Sequence, residues 1–353
     1  MRILHTADLH LREYADTRWE SLHRLIEVGE KEGVEIFLIS GDLFDRDVNA
    51  ENLRPKLREI FSGRGFKILI IPGNHDRDAY KHGMWFGEDV IVLTDFSRPF
   101  EYENVRIWGM PFEPIEGEAI LQRLRSLSND LAKDGKNIVL FHGELLDAFF
   151  SRRDFGDEGG ERYMPVKLSY FKSSRIDYVL AGHFHSRMNS WSLENGGYFV
   201  YPGSPVSITK REVGQRKVNL FEVGKPPCEY LLDTPHFEEV VLELSPAKDE
   251  NPMKMIEERV KNLHEEARII LTVKGFIDGK AIGMDERMLV EEIRKTTRGR
   301  LAEEHYEFRD IQAVLEDDLT RRFIEKLEQA GHEAEKESQI RDLMIHAIIQ
   351  SRR

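Results

Sequence analysis

Residues 34–42 read VEIFLISGD, an apolar run that ends in glycine and aspartate. Such continuous apolar character is typical of a strand that is buried on both faces, as in parallel sheets. Apolar runs followed by polar residues recur in RILHTADLH, KILIIPGNHD, NIVLFHG and YVLAGHFH, and amphipathic stretches separate several of them. The sequence therefore predicts a layered α/β domain rather than a helical bundle.

The predicted elements fill residues 1–235. Asp16 is a suitable N-cap, apolar residues follow at helical spacing, and Gly33 is a stop signal for this first helix. Further helices are predicted over residues 50–61 and 116–133. Strands are predicted over residues 2–6, 34–40, 67–71, 90–93, 105–108, 137–141, 177–181, 197–201 and 217–223.

The pattern restarts after prolines at positions 226, 227 and 235. Strands over 237–244, 269–274 and 305–314 alternate with helices over 253–265 and 284–297. This indicates a small α+β domain at residues 236–316. Two amphipathic helices, over 318–329 and 337–349, are predicted in the terminal segment 317–353.

Composition excludes several classes of protein. Hydrophobic residues make up 40% and charged residues 33% of the 353 residues, and no apolar run approaches the roughly 18 needed to cross a bilayer, so no membrane association is expected. The one cysteine, Cys228, excludes an internal disulfide. The start MRILHTADLH has no long apolar segment typical of a signal peptide. We therefore expect a cytoplasmic location.

The charge balance limits how the chain could bind nucleic acid. With 51 Lys+Arg and 64 Asp+Glu, the formal net charge is −13. This charge argues against a protein held on nucleic acid by general neutralisation of phosphates. A polyanionic substrate would have to be bound locally.

Polar residues that can bind metals follow five of the predicted strands. The carboxyl ends of strands are where open α/β sheets bind ligands, and Asp8 and His10 share one face of an extended backbone. One such residue after a strand is weak evidence, but five strand ends together favour a single site. His5, inside the first strand, is expected to be a hydrogen-bonded core residue. The candidate ligands are Asp8, His10, Asp42, Asn74, His142, His183 and His185, with His75 in the same Gly-Asn-His-Asp run.

Seven ligands exceed the needs of one zinc site and favour two divalent ions that share a carboxylate. Two ions bring a charge of +4, and Asp8 and Asp42 remove 2. The remaining +2 matches a hydroxide and one phosphodiester anion. Carboxylate, amide and imidazole ligands without thiolates favour manganese, iron or zinc, of which we expect manganese.

These five motifs resemble the calcineurin-like metallophosphoesterase superfamily. Within it, MRILHTADLHL, PGNHD, DYVLAGHFHS and YPGSP resemble SbcD-type DNA repair nucleases over residues 1–223. The resemblance implies a four-layer α/β/β/α sandwich and hydrolysis of phosphodiester bonds in DNA double-strand break repair. Residues 236–316 then resemble the family's DNA-capping domain.

The resemblance also implies roles for the candidate residues. Asp8, His10, Asp42 and His185 would surround one metal, and Asp42, Asn74, His142 and His183 the other, so that Asp42 bridges the two. A metal-bound hydroxide would attack phosphorus in line, while His75 protonates or orients the leaving oxygen.

One position departs from the family pattern. Many SbcD-like nucleases have His three residues after the bridging aspartate, and that His is linked to exonuclease action. This chain has Asp45 there. The change puts exonuclease activity in doubt and affects endonuclease or general phosphodiesterase activity less.

Three functional hypotheses follow. The first is a two-metal DNA exo- or endonuclease of SbcD type. The second, favoured by Asp45 and the acidic charge, is a phosphodiesterase acting on a small substrate such as a cyclic nucleotide. The third is a scaffold with a vestigial site. An SbcC-type ATPase could bind residues 318–353, although these helices could equally pack on their own domain, and the resemblance implies a homodimer that uses helices within residues 1–90.

Overall fold

The computed structural model divides the chain into two compact units, Met1–His236 and Phe237–Arg353. It describes residues 1–80, 85–148, 163–245, 251–312 and 318–332, together with 336–337, 339–340, 343–344 and 347. The helix predicted over 337–349 lies largely outside the described residues.

Two six-stranded sheets form the first unit. In the first sheet the strand order is β12-β11-β1-β2-β3-β4, and β1 to β4 are parallel. These strands are β1 (Arg2–Thr6), β2 (Ile36–Ser40), β3 (Lys67–Ile71), β4 (Val90–Val92), β11 (Lys217–Glu222) and β12 (Glu229–Leu231).

The second sheet has the order β5-β6-β7-β8-β10-β9, and its four central strands are parallel. Its strands are β5 (Phe100–Tyr102), β6 (Val105–Met110), β7 (Lys136–His142), β8 (Tyr178–Gly182), β9 (Asn189–Ser192) and β10 (Tyr198–Tyr201). The short edge strands β5 (FEY), β9 (NSWS) and β12 (EYL) are not predicted from the sequence, because polar residues interrupt the apolar run in each of them.

Alternating side chains place each sheet between two apolar layers. In β2, Ile36 and Leu38 belong to the core between the two sheets, whereas Phe37 and Ile39 face a layer that also contains residues of the first two helices. A third layer packs residues of one helix on the far face of the second sheet. The helices are α1 (Thr17–Lys31), α2 (Ala50–Phe61) and α3 (Glu118–Leu127). The α/β/β/α fold class is confirmed.

Local signals explain where the helices begin and end. The Asp16 side chain accepts a hydrogen bond from the backbone N–H of Arg18 at 3.0 Å and caps α1. Gly33, with φ of 62°, follows the end of this helix. Helix α3 ends at Leu127, earlier than predicted, and the bounds of β1, α2 and β3 agree with the prediction.

The two sheets meet face to face, which brings the carboxyl ends of their parallel strands together. His142 is the last residue of β7, and Ser40 is the last residue of β2. Nδ1 of His142 lies 2.8 Å from the carbonyl oxygen of Ser40. Loops from both sheets therefore converge on one edge of the sandwich.

The second unit contains a three-stranded sheet of order β13-β14-β15. Its apolar core includes Ile269, Leu271, Leu289 and Ile293. The elements are β13 (His236–Leu244), α4 (Pro252–Lys261), β14 (Ala267–Ile277), a single turn α5 (Gly279–Ile282), α6 (Glu286–Thr296), β15 (Leu301–Asp310) and α7 (Asp318–Gln329). β15 begins four residues before the predicted position. Among the described residues, no helix is long and apolar enough to cross a membrane.

Candidate metal centre

Four of the predicted site residues have a left-handed backbone. The φ angles are 58° for Asp8, 49° for His10, 53° for Asp42 and 97° for His183. This conformation is uncommon for residues with a Cβ and is concentrated at functional sites. Two backbone hydrogen bonds between the loops hold it: Asp8 N–H donates to Gly41 O at 3.1 Å, and His10 N–H donates to Asp42 O at 2.9 Å.

Asp8, His10 and His185 form a first cluster of buried side chains. The Nε2 atoms of His10 and His185 face each other at 3.3 Å, and Nε2 of His185 lies 3.9 Å from Oδ1 of Asp8. One potential ligand atom from each residue lies within 4.8 Å of the others. Two imidazole nitrogens and one carboxylate therefore converge with the spacing of a metal site.

A second cluster consists of Asp8, Asp42 and His142, whose ligand atoms also lie within 4.8 Å of one another. Oδ2 of Asp42 is 3.3 Å from Nε2 of His142 and 3.8 Å from Nε2 of His10. Asp8 is thus common to the two clusters, and Asp42 lies between His142 of the second and His10 of the first. Oδ1 of Asn74 lies 2.8 Å from the same Nε2 of His142.

The donor set fits a divalent cation. Oδ2 of Asp42 is buried and accepts no hydrogen bond of ordinary geometry from the described residues, a costly arrangement for a carboxylate without a cation. Burial raises the pKa of Asp42, but the charges of His142, His10 and His75 more than offset this and hold it well below its usual range. Burial lowers the pKa of His142, and the Asp42 carboxylate outweighs it and raises the pKa to about 9. The pocket therefore favours positive charge.

The second nitrogen of two histidines is held by an outer partner. A hydrogen on Nδ1 of His142 donates to Ser40 O at 2.8 Å, so that loss of the other proton, on Nε2, would direct a lone pair towards the cluster. Nδ1 of His185 lies 3.4 Å from Oε1 of Glu212. Such contacts fix the orientation of metal-binding imidazoles.

Two glycines allow the loops to approach each other closely. A Cβ at Gly73 would lie 2.1 Å from Oδ1 of Asp42, and a Cβ at Gly41 would lie 2.1 Å from Nδ1 of His142. Only glycine fits these two positions without displacing a candidate ligand.

His75 forms a third group of potential ligands with His10 and Asp45, whereas His183 lies beside the clusters and is in none of the three groups found among the described residues. The backbone N–H of His75 donates to Oδ1 of Asp42 at 2.9 Å. The His75 ring packs edge-on against the His10 ring, with the two centroids 4.5 Å apart. The backbone N–H of His183 donates to both carboxylate oxygens of Asp8, each at 3.0 Å. The centroid of the His183 ring lies 5.5 Å from the centroid of the His142 ring. His5, as expected, is a core residue, with Nε2 3.1 Å from Oγ of Ser40.

Glu212 is a further residue beside the site, and no motif or periodicity in the sequence indicates it. Its buried carboxylate accepts hydrogen bonds from Ser204 Oγ at 3.2 Å, Ile208 N–H at 2.8 Å and Thr209 Oγ1 at 3.1 Å. Burial raises its pKa, but His185 and Arg216 lower it to about 2. The residue stands in an irregular loop without periodicity, so only its burial and contacts reveal it.

Asp76 supports the loop from the other side. Its carboxylate accepts from Gly73 N–H at 2.7 Å and Phe44 N–H at 3.2 Å, and from the Tyr80 hydroxyl at 3.0 Å. Burial and the nearby Asp42 charge raise its pKa to about 7, against the effect of these hydrogen bonds. Asp76 therefore holds the two loops that carry Asp42 and Asn74.

The sandwich fold and the paired acidic and imidazole clusters define a metal-dependent phosphoesterase. The chain belongs to the calcineurin-like phosphoesterase family, whose model matches residues 1–187. It is accordingly a hydrolase of phosphoester bonds, of a family in which paired ligand clusters serve a dinuclear metal site.

Two relatives and one solved structure illustrate the range of similar proteins. A DNA double-strand break repair protein Mre11 of Saccharolobus solfataricus is 24% identical over 297 residues, covering 78% of this chain and 70% of that protein. An uncharacterized metallophosphoesterase, YhaO of Bacillus subtilis, is 23% identical over 294 residues, covering 75% of this chain and 69% of that protein. The protein TT1561 of Thermus thermophilus superposes with a TM-score of 0.42 at 16% identity, over 62% of this chain and 93% of that one.

Proposed function

We propose that this protein is a two-metal DNA phosphodiesterase of the SbcD/Mre11 type that acts in double-strand break repair. The convergence of Asp8, His10, Asp42, His142 and His185 at the carboxyl ends of strands from both sheets carries the proposal. The similarity to an Mre11 repair protein over 78% of the chain supports DNA as the substrate.

We assign one metal to Asp8, His10, Asp42 and His185, and the other to Asp42, Asn74, His142 and His183. Bound divalent ions would supply positive charge to the phosphate oxygens and activate a water for in-line attack. The outer contacts of His142 and His185 keep their Nε2 atoms directed at the clusters. Manganese suits this mixture of imidazole, amide and carboxylate ligands.

His75 is the residue we assign to proton transfer. Its side chain is 12% exposed, in contrast to the almost fully enclosed His142 and Asp42. Nδ1 of His75 lies 3.4 Å from Oδ1 of Asp45. We propose that this contact orients the imidazole, which would protonate or orient the leaving oxygen.

The test is incubation of the protein and manganese with a single-stranded DNA circle and a linear duplex. Cleavage of the circle reports endonuclease activity, and shortening of the duplex reports exonuclease activity. Both should disappear with a chelator and in the Asp42→Ala variant. Rapid hydrolysis of bis-para-nitrophenyl phosphate without cleavage of either DNA would contradict the assignment of DNA as the substrate.

A small phosphodiester such as a cyclic nucleotide is the second candidate. Asp45 motivates it, because this carboxylate occupies the position of the histidine that the nuclease pattern has, and it contacts both His10 and His75. Similarity to a metallophosphoesterase without an assigned substrate also supports it. Efficient hydrolysis of cyclic nucleotides by a protein that leaves DNA intact would favour this candidate.

For the second unit we propose two roles: a DNA-capping domain at residues 236–316, and a binding segment for an SbcC-type ATPase at residues 317–353. Phe323 and Leu343 are large apolar side chains exposed in the terminal segment. Replacing both with aspartate should abolish co-purification with the ATPase. Unchanged co-purification would contradict the proposed contact.

We further propose a homodimer that uses helices within residues 1–90, and a cytoplasmic location. The family resemblance supports the dimer, and a single exposed cysteine is consistent with a reducing compartment. Light scattering of the metal-loaded protein measures the oligomeric mass, and cell fractionation tests the cytoplasmic location. A monomeric mass at micromolar concentration would contradict the dimer.

A further inference from the structure

Arg12 and Tyr14 follow His10 and are connected to the candidate metal centre by hydrogen bonds. Nε of Arg12 donates to Oδ2 of Asp45 at 2.6 Å, and Nη1 of Arg12 donates to the Tyr14 hydroxyl oxygen at 2.6 Å. The other oxygen of Asp45 lies 3.4 Å from Nδ1 of His75 and 3.6 Å from Nδ1 of His10. Two hydrogen bonds therefore separate Tyr14 from a carboxylate that contacts the site.

The Arg12 guanidinium has donors left for a ligand. It carries five N–H groups, and the described part of the chain shows hydrogen bonds from one on Nε and one on Nη1. The side chain is 42% exposed. A planar guanidinium held at one edge and open at the other suits two-point binding of a phosphate.

Tyr14 offers an aromatic surface beside this guanidinium. The residue is 57% exposed, and Cζ of Arg12 lies 5.9 Å from the centroid of its ring. Exposed aromatic rings beside a positive charge are the usual stacking platforms for single-stranded bases, and each stacked base contributes about 1–3 kcal/mol. The pair thus combines the two chemistries of one nucleotide, a phosphate and a base.

The segment that carries the pair is fixed in place. Nε1 of the buried Trp19 donates to the carbonyl oxygen of Arg12 at 2.9 Å. Oε1 of Glu13 accepts from the Asn49 N–H at 3.3 Å and from Nδ2 of Asn52 at 3.1 Å. Little ordering of this segment is therefore needed when a ligand binds.

We propose that Arg12 and Tyr14 bind one nucleotide of the DNA substrate next to the metal centre, with the Arg12 guanidinium on a phosphate and the Tyr14 ring stacked on the base. The inference rests on the proposed function of DNA phosphodiester hydrolysis. In a chain of net charge −13, the Arg12 guanidinium would offer a phosphate a local cationic contact.

Two small esters isolate the contact to the base. Thymidine 5′-(para-nitrophenyl phosphate) and methyl para-nitrophenyl phosphate share the leaving group and the diester, and differ in the nucleoside. In the manganese-loaded Tyr14→Ala variant the ratio of kcat/KM for the thymidine ester to that for the methyl ester should fall about tenfold, within the range of base stacking. Tyr14→Phe should keep the ratio, since the ring remains. A wild-type ratio in Tyr14→Ala would overturn the proposal.

Salt dependence isolates the contact to the phosphate. Binding of a short phosphorothioate single strand is measured by fluorescence anisotropy over a range of salt concentrations. Loss of one phosphate contact in Arg12→Gln should reduce the slope of log K against log salt by about 0.7, and Arg12→Lys should restore it. An unchanged slope in Arg12→Gln would refute the role of Arg12.

A second exposed pair supplies the matched control. Cζ of Arg58 lies 4.6 Å from the centroid of the Trp85 ring, which is 49% exposed. Arg58 is in the last turn of α2, whereas Asn49, at the other end of that helix, lies near the site loops. Trp85→Ala and Arg58→Gln should keep the wild-type ratio and slope. An equal loss in these variants would show a nonspecific surface effect and overturn the proposal.

The outcomes also separate this inference from the proposed function. If the wild type hydrolyses both esters and cuts no DNA, DNA is not the substrate, and the ester ratio still decides whether Tyr14 contacts a base. If wild type and Tyr14→Ala cut DNA equally well with equal ester ratios, DNA hydrolysis stands and the nucleotide contact is wrong.

Discussion

Replacing Glu212 with alanine should weaken metal binding and lower stability together. The Glu212 carboxylate contacts Nδ1 of His185 at 3.4 Å and also accepts three hydrogen bonds from its own loop. The same side chain therefore orients a candidate ligand and satisfies buried donors.

The expected magnitudes follow from these contacts. Each of the three loop hydrogen bonds contributes about 1 kcal/mol net, so the metal-free variant should lose about 3 kcal/mol of unfolding free energy. Loss of the partner of His185 should weaken metal binding roughly 10–100-fold, as for other carboxylates behind a metal-binding imidazole. Glu212→Gln keeps an acceptor oxygen, so it should lose less unfolding free energy and less affinity for metal than Glu212→Ala.

The assays are urea unfolding of the chelator-treated protein and titration of manganese followed by calorimetry. Asn137 supplies the control, because its buried side chain also makes three hydrogen bonds, to Ala132 and Arg175. It stands five residues before His142 on β7, about 17 Å away along an extended strand. Asn137→Ala should lose similar stability and keep wild-type manganese affinity. If Glu212→Ala also keeps that affinity, the contact with His185 does not orient a ligand.

Three further predictions concern the site and the core. Gly73→Ala should lower manganese occupancy at least tenfold while circular dichroism stays native, because the new Cβ would lie 2.1 Å from Oδ1 of Asp42; full occupancy would show that the loop relaxes freely. Asp42→Ala should remove both ions and His185→Ala mainly one, measured as metal per chain by mass spectrometry, and two ions retained in Asp42→Ala would exclude a bridging role. Leu38→Ala, in the core between the sheets, should cost about 2–5 kcal/mol in urea unfolding, and a loss below about 1 kcal/mol would show that this layer repacks.

The candidate site could be predicted from the sequence because its residues follow strands. Asp8, Asp42 and His142 each come after or at the end of an apolar run, and the general rule for strand ends brings them together without knowledge of the packing. Glu212 follows no such rule. Its contact with His185 depends on the path of the irregular loop between β10 and β11, which no local pattern encodes.

The layered fold was partly predictable for a similar reason. The run VEIFLIS indicates burial on both faces, but an apolar side chain does not specify what covers it. Helices cover Phe37 and Ile39, and a second sheet covers Ile36 and Leu38. The sandwich was therefore predicted from family resemblance, whereas the strand itself was predicted from the pattern.

Asp45 gives different chemistry to the one position that departs from the nuclease pattern. A histidine there could donate or accept a proton or bind a metal, whereas an aspartate adds negative charge next to His10 and His75. This charge does not simply oppose a phosphodiester, because Nε of Arg12 pairs with it at 2.6 Å, and beyond the bond from Nη1 to Tyr14 the other N–H groups of the guanidinium make no hydrogen bond within the described residues. An aspartate at this position therefore holds Arg12 in place, and on the proposed nucleotide contact it would act through that arginine rather than on the substrate itself. On this reasoning Asp45→His should release Arg12 and weaken binding of single-stranded DNA more than it changes hydrolysis of the methyl ester.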